Sequence, residues 1–283
     1  MSTLLIVLLT IAMVFTFAAC GNKDDAKSDA PADDSGLKTF TEGKLTVATG
    51  EPAWEPWVMN DDPESGEGFE AAVVYAVAEH LGFAKEDVVW VRTPFDAAIA
   101  PGPKDYDFNI QQFSITDERK EVVDFSSPYY IEPRVIITMK DGKYAASTDI
   151  ADFKDALFGA ASGDVAIQVT EDFIGPDKDV QVFNNLSDVF AALNAGQIDA
   201  TVAGLLNARY TVDISDQLSN GGVINGSIPG SQEFTDGLAF LLEKDSPNTA
   251  IFSKAIDELV ADGTIQSIID KWLADYTNVP ELK

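Results

Sequence analysis

Strand-like and helix-like stretches alternate along this chain, and they do so twice. Short β-branched apolar runs stand at 44–49 (KLTVAT), 87–92 (DVVWVR) and 106–110 (YDFNI). Between the first two, Phe69, Ala72, Val73, Ala76, Val77 and Leu81 recur at helical spacing over 68–81, and Gly82 suits the helix end. Phe95 and Asp96 open a short helix after Pro94. The second round has strands at 134–139, 157–161, 179–183 and 198–203. Its helical patterns cover 165–173, 188–195 (with Ser187 as the cap) and 205–212. A strand at 237–243 and helices at 246–261 and 264–276 are left over. Alternation of this kind builds parallel sheets covered by helices. Two rounds of it imply an α/β protein of two doubly wound lobes, 39–132 plus 236–283 and 133–235. A two-segment hinge near 130–134 and 232–236 would join them. In such sheets ligands bind at the carboxyl ends of strands. Trp54, Phe95, Ser114 and the tripeptide Ser162-Gly163-Asp164 all follow strands directly, so a cleft between the lobes would collect them.

The segment 114–130 (SITDERKEVVDFSSPYY) carries the clearest chemistry. Ser and Thr after a strand can end it and cap a short helix, which places Arg119 in the first turn. A guanidinium fork, a hydroxyl at Ser114 and free backbone N–H groups together make a carboxylate receptor. The competing reading is a surface arginine paired with Glu118 or Asp124.

The ends of the chain and its charge narrow the class further. Residues 4–19 are almost wholly apolar and lead to Ala18-Ala19-Cys20-Gly21, with Cys20 the sole cysteine. This resembles a bacterial lipoprotein signal peptide (1–19), which implies lipidation at Cys20 and attachment to the extracytoplasmic face of the cell membrane. The polar, acidic stretch 20–38 reads as a disordered tether. A single cysteine excludes an intramolecular disulfide and a cysteine metal cluster. With 47 acidic against 19 basic residues the net charge is −28, which argues against nucleic-acid binding. His80, the only histidine, stands in the last turn of a helix without a motif around it. No phosphate loop, metal loop or nucleophile triad is visible, so no cofactor is expected.

Taken together, the segments 43–57 (GKLTVATGEPAWEPW), 68–82, 93–99 (TPFDAAI), 106–130, 192–204 (ALNAGQIDATVAG) and 246–273 resemble the amino-acid-binding proteins of ABC importers. These are solute-binding proteins of family 3 with the periplasmic binding protein type II fold. The resemblance implies that Arg119 pairs with a ligand carboxylate and that Ser114 assists. It implies that Gln112 bonds the ligand amine and that Trp54 and Phe95 sandwich the side chain. Glu51 matches a position that can be acidic where the ligand is basic, and Ser162, Gly163 and Asp164 match the second lobe's grip on the carboxylate. Two positions depart from the pattern. Asp164 stands where Thr is usual, and Gly204 stands where an amine-binding Asp is usual. Either Asp164 or Glu51 has taken over the amine, or the ligand is not an ordinary α-amino acid. The implied partners are a small-molecule ligand, a membrane permease and the membrane itself, with the protein acting as a monomer and not as an enzyme. A ligand-sensing receptor subunit and a dehydratase of prephenate-like acids are the alternatives on the same fold.

Overall fold

A computed structural model describes residues 36–283. The expected signal peptide, Cys20 and nearly all of the tether lie outside the described residues. Of the residues expected in the tether, Lys38 exchanges two hydrogen bonds with Asn248 and Leu37 packs on the first core.

The first half of the chain forms β1 (Leu45–Thr49), α1 (Phe69–His80), β2 (Val88–Arg92), α2 (Phe95–Ile99), β3 (Phe108–Asn109), α3 (Asp117–Lys120) and β4 (Val123–Phe125). The second half continues with β5 (Arg134–Met139), β6 (Phe158–Ala161), α4 (Ala166–Val169) and β7 (Gln181–Phe183). It goes on through α5 (Leu186–Asn194), β8 (Ala200–Gly204), α6 (Leu205–Arg209) and β9 (Gly222–Ser227). The chain then closes with β10 (Leu241–Glu243), α7 (Thr249–Ala261) and α8 (Thr264–Trp272).

Two five-stranded sheets result, ordered β2-β1-β3-β10-β4 and β7-β6-β8-β5-β9. They are mixed, which corrects the expectation of purely parallel sheets. β10 lies antiparallel to β3 and β4, and β5 lies antiparallel to β8 and β9. The cause is the double crossing. The two connecting segments run in opposite directions and bridge each other at Tyr130 and Leu238, and the strands that continue from them keep those directions.

Each sheet buries a core. Trp57, Phe69, Phe108, Tyr129, Phe240 and Phe252 are almost fully buried in the first lobe, with Phe108 and Phe240 stacked at 4.1 Å. In the second lobe β5 alternates: Ile136 packs with Phe153 and Phe158 on one face, and Val135 and Ile137 pack with Phe190 and Leu193 on the other.

The C-terminus also departs from the expected division. After α8 the chain does not stay on the first lobe. Glu281 bridges Ser227, Leu282 N donates to Ser227 O (2.9 Å), and Lys283 exchanges backbone bonds with Thr148 and Ile150. Leu282 is buried in the second lobe's core. The burial of Leu282 overrides sequence order, so 279–283 belongs with the second sheet.

Candidate functional site

A cavity of about 610 Å³ lies where strand ends of both sheets meet. Its wall includes Glu51, Trp54, Phe95, Gln112, Ser114, Arg119, Ser162 and Asp164. Gly163 joins them through its carbonyl.

Arg119 is positioned by the loop chemistry expected of it. Thr116 caps α3, its hydroxyl accepting from Arg119 N (3.2 Å). The side chain is buried, at 6% exposure, which rules out the surface reading, and Asp124 pairs instead with Lys244. Arg119 Nη1 donates to Ser114 O (2.8 Å) and Nη2 to Gly163 O (2.7 Å), so one guanidinium spans both lobes. Gly163 has φ +73°, a conformation that glycine adopts without strain and that presents its carbonyl to Arg119. The guanidinium lies 5.5 Å above the Phe95 ring, and Phe95 stacks on Phe113 at 4.8 Å.

Arg134 was not foreseen, because it reads as the first residue of a strand. It is also buried, and its Nη2 donates to Ser114 Oγ (2.6 Å). Ser114 is thus held by two arginines, one from each lobe. Burial pushes the Arg119 guanidinium down to about 10; Asp164 opposes this, and the charge of Arg134 adds a smaller push in the same direction as burial. Two desolvated cations this close favour an anion between them.

The remaining expected residues divide. Gln112 sits at φ +53° with both its N–H (2.8 Å) and its Nε2 (2.5 Å) donating to Glu70, so its donors are engaged within the first lobe. Tyr129 Oη also donates to Glu70 (2.5 Å), and burial still pushes that carboxyl up to about 7. Asp164 Oδ1 accepts from Ala166 N (2.9 Å), an Asx turn that leads into α4. Trp54 and Phe95 both line the cavity. Phe95 stacks on Phe113, and Trp54 has partners of its own. It makes edge contacts at 6.2 Å with Phe190 and Tyr210 of the second lobe. Trp57 Nε1 donates to Asn207 Oδ1 (2.6 Å), another bond between lobes. His80 lies at the surface beside Glu258, as expected of a helix-end residue.

Sequence reasoning missed Arg134, Asn207, Asp96, and the Asn184–Asp188 segment that lines the second lobe's wall. It also misplaced a cap. Asn185, not Ser187, caps α5, accepting from Asp188 N (2.9 Å). Asn185 at a strand-to-helix junction was the available signal.

Similarity to known proteins agrees with this geometry. An L-arginine-binding protein of Pseudomonas aeruginosa is 28% identical over 84% of this chain and 91% of its own length. A probable histidine-binding protein of Campylobacter jejuni is 29% identical, covering 90% and 92%. The solved structure of an ancestral arginine-binding protein bound to arginine superposes with a TM-score of 0.64 at 29% identity, over 82% of this chain and 98% of that one. The two-lobed α/β architecture is that of the type II periplasmic binding proteins. The family model for bacterial extracellular solute-binding proteins, family 3, matches residues 45–275, and the chain belongs to that family.

Proposed function

We propose that the cleft captures an amino acid with a cationic side chain and that the protein delivers it to the permease of an ABC importer. One observation carries the reading: Arg119 and Arg134, buried and drawn from different lobes, converge on Ser114. A ligand carboxylate placed there neutralises both guanidiniums and is gripped by a bidentate fork. The other charged side chains of the wall are Glu51, Asp96, Asp164 and Asp188, all acidic, with Trp54 and Phe95 as apolar surfaces. That lining suits a cation on an aliphatic or aromatic stem. Relatives named for arginine and histidine binding support the same class.

Capture works by hinge closure. Ligand held on Ser114 and Arg119 gains contacts with Arg134, Ser162, Gly163 and Asp164 only when the lobes meet, so it shifts the population to the closed form. The protein acts outside the cytoplasm as a monomer, anchored to the membrane through lipid on Cys20. Calorimetric titration with amino acids, polyamines, organic acids and short peptides tests the reading. Tightest binding to a basic amino acid is expected, and binding confined to compounds without a carboxylate overturns it.

A further inference from the structure

The cleft has a receptor for a carboxylate, but its evident acids are partly engaged. Asp164 Oδ1 accepts from Ala166 N, Asp96 Oδ1 accepts from Ala97 N (2.9 Å), and the donors of Gln112 are bound to Glu70. One further carboxylate stands two residues before Arg134 of the wall. Glu132 sits on the first crossing segment and is 6% exposed. Its Oε2 accepts from Leu206 N (3.3 Å), at the start of α6. Its Oε1 finds no hydrogen-bond partner among the described residues. Glu70, the neighbouring buried acid, has three donors by contrast.

Two features fix Glu132 in this place. Gly204 ends β8 and leads into α6, whose Asn207 lines the cavity, and a Cβ added at 204 would stand 2.1 Å from Glu132 Oε1 and 2.8 Å from its carboxyl carbon. The Glu132 carboxylate therefore fills the space that any side chain at 204 would enter. The second feature is the sequence Glu132-Pro133-Arg134. Proline holds the residue before it extended, and in extended chain residues two apart project to the same side about 6–7 Å apart. An acid and a guanidinium thus stand side by side on one segment, with Arg134 already on Ser114 and the acid still open. An α-amino acid carries its ammonium and carboxylate on one carbon, which is the complementary pattern.

We infer that Glu132 Oε1 receives the α-ammonium of the bound amino acid, so that the counter-charge comes from the hinge and Gly204 is the residue that makes room for it. The inference rests on the amino-acid reading above. A buried carboxylate with an open acceptor is matched by a donor that also carries charge. Because Glu132 belongs to the crossing segment, the ammonium would be read where the lobes pivot.

The test uses the full chain and matched pairs of probes. L-arginine, L-histidine and L-glutamine are compared by calorimetry with 5-guanidinopentanoate, 3-imidazolylpropanoate and 5-amino-5-oxopentanoate, which lack only the α-ammonium. The native protein should favour the amino acid of the tightest pair by roughly 30-fold or more. In Glu132→Gln that preference should collapse to a few-fold, while the deaminated probe binds as before. Gly204→Ala, which displaces the carboxylate, should lose the preference in the same way, with thermal unfolding reporting that each variant folds. Unchanged discrimination, or equal loss for both members of each pair, overturns the role of Glu132 and leaves the amino-acid reading standing. Failure of the native protein to bind any of the amino acids overturns both. A crystal structure of the native protein with its tightest amino acid needs no variant. It should place the ammonium nitrogen within hydrogen-bonding distance of Glu132, and an ammonium bound elsewhere overturns the inference.

Discussion

Arg119 donates to carbonyls of both lobes while 6% exposed, so its removal should act on the ligand more than on the fold. Arg119→Ala is expected to weaken carboxylate-ligand binding by about 2–5 kcal/mol, read by calorimetry. The variant should still unfold in one cooperative transition, with a melting temperature lowered by loss of two hydrogen bonds and of the attraction from Asp164, which relief of repulsion from Arg134 offsets only in part. Arg119→Lys should not restore affinity, since an ammonium lacks the fork. Binding within a few-fold of native by either variant would remove Arg119 from the receptor. Glu70 and Glu132 give a second residue-level test. Burial pushes both carboxyls up from 4.5 to about 7, Glu70 despite its bonds to Tyr129 and Gln112, and Glu132 despite Arg134 and with some help from Asp164. A raised carboxyl pKa means the folded state binds more protons. The associated stability is full below pH about 4.5 and is lost as pH rises through 7, on the order of 3 kcal/mol per group. Melting temperature should therefore fall between pH 5 and 8, and Glu132→Gln should flatten that fall. An identical slope in the variant would contradict the placement of Glu132. At this scale Arg119 and Ser114 were legible because capping chemistry and spacing are local. Arg134, Asn207 and Glu132 were not, because their roles arise only when a crossing segment and the two lobes are brought together.

Among elements, long periodic ones were readable and short, contextual ones were not. α1, α7 and β5 follow from their apolar spacing. β9 (GVINGS) has two glycines and a buried Asn225, which bonds Thr138 and Tyr144. Nothing in such a sequence signals a strand, and the pairing comes from β5. The C-terminal tail is similar, since Leu282 is the only fully buried residue of 279–283 and backbone hydrogen bonds do the rest of the docking. Leu282→Ala should lower stability by about 2–3 kcal/mol in urea unfolding, and an unchanged midpoint would show the tail is not anchored there. The caps offer a sharper comparison. Asn185→Ala should cost about 1 kcal/mol through loss of the bond to Asp188 N, while Ser187→Ala should stay within about 0.5 kcal/mol. The reverse order would restore the cap expected from sequence.

On the scale of the whole molecule, alternation of strands and helices foretold two lobes and a cleft, and the family match agrees. What local patterns could not reveal is the set of bonds that cross the cleft. Arg119 to Gly163, Arg134 to Ser114 and Trp57 to Asn207 each join residues from different lobes. Two of the three involve the guanidiniums assigned to the ligand carboxylate, so closure and carboxylate capture are one event in this account. That claim is tested most directly by calorimetry of the native protein with L-arginine and with agmatine, which lacks only the carboxylate. The account predicts that agmatine binds at least roughly 30-fold more weakly. Equal affinity for the two compounds would contradict it.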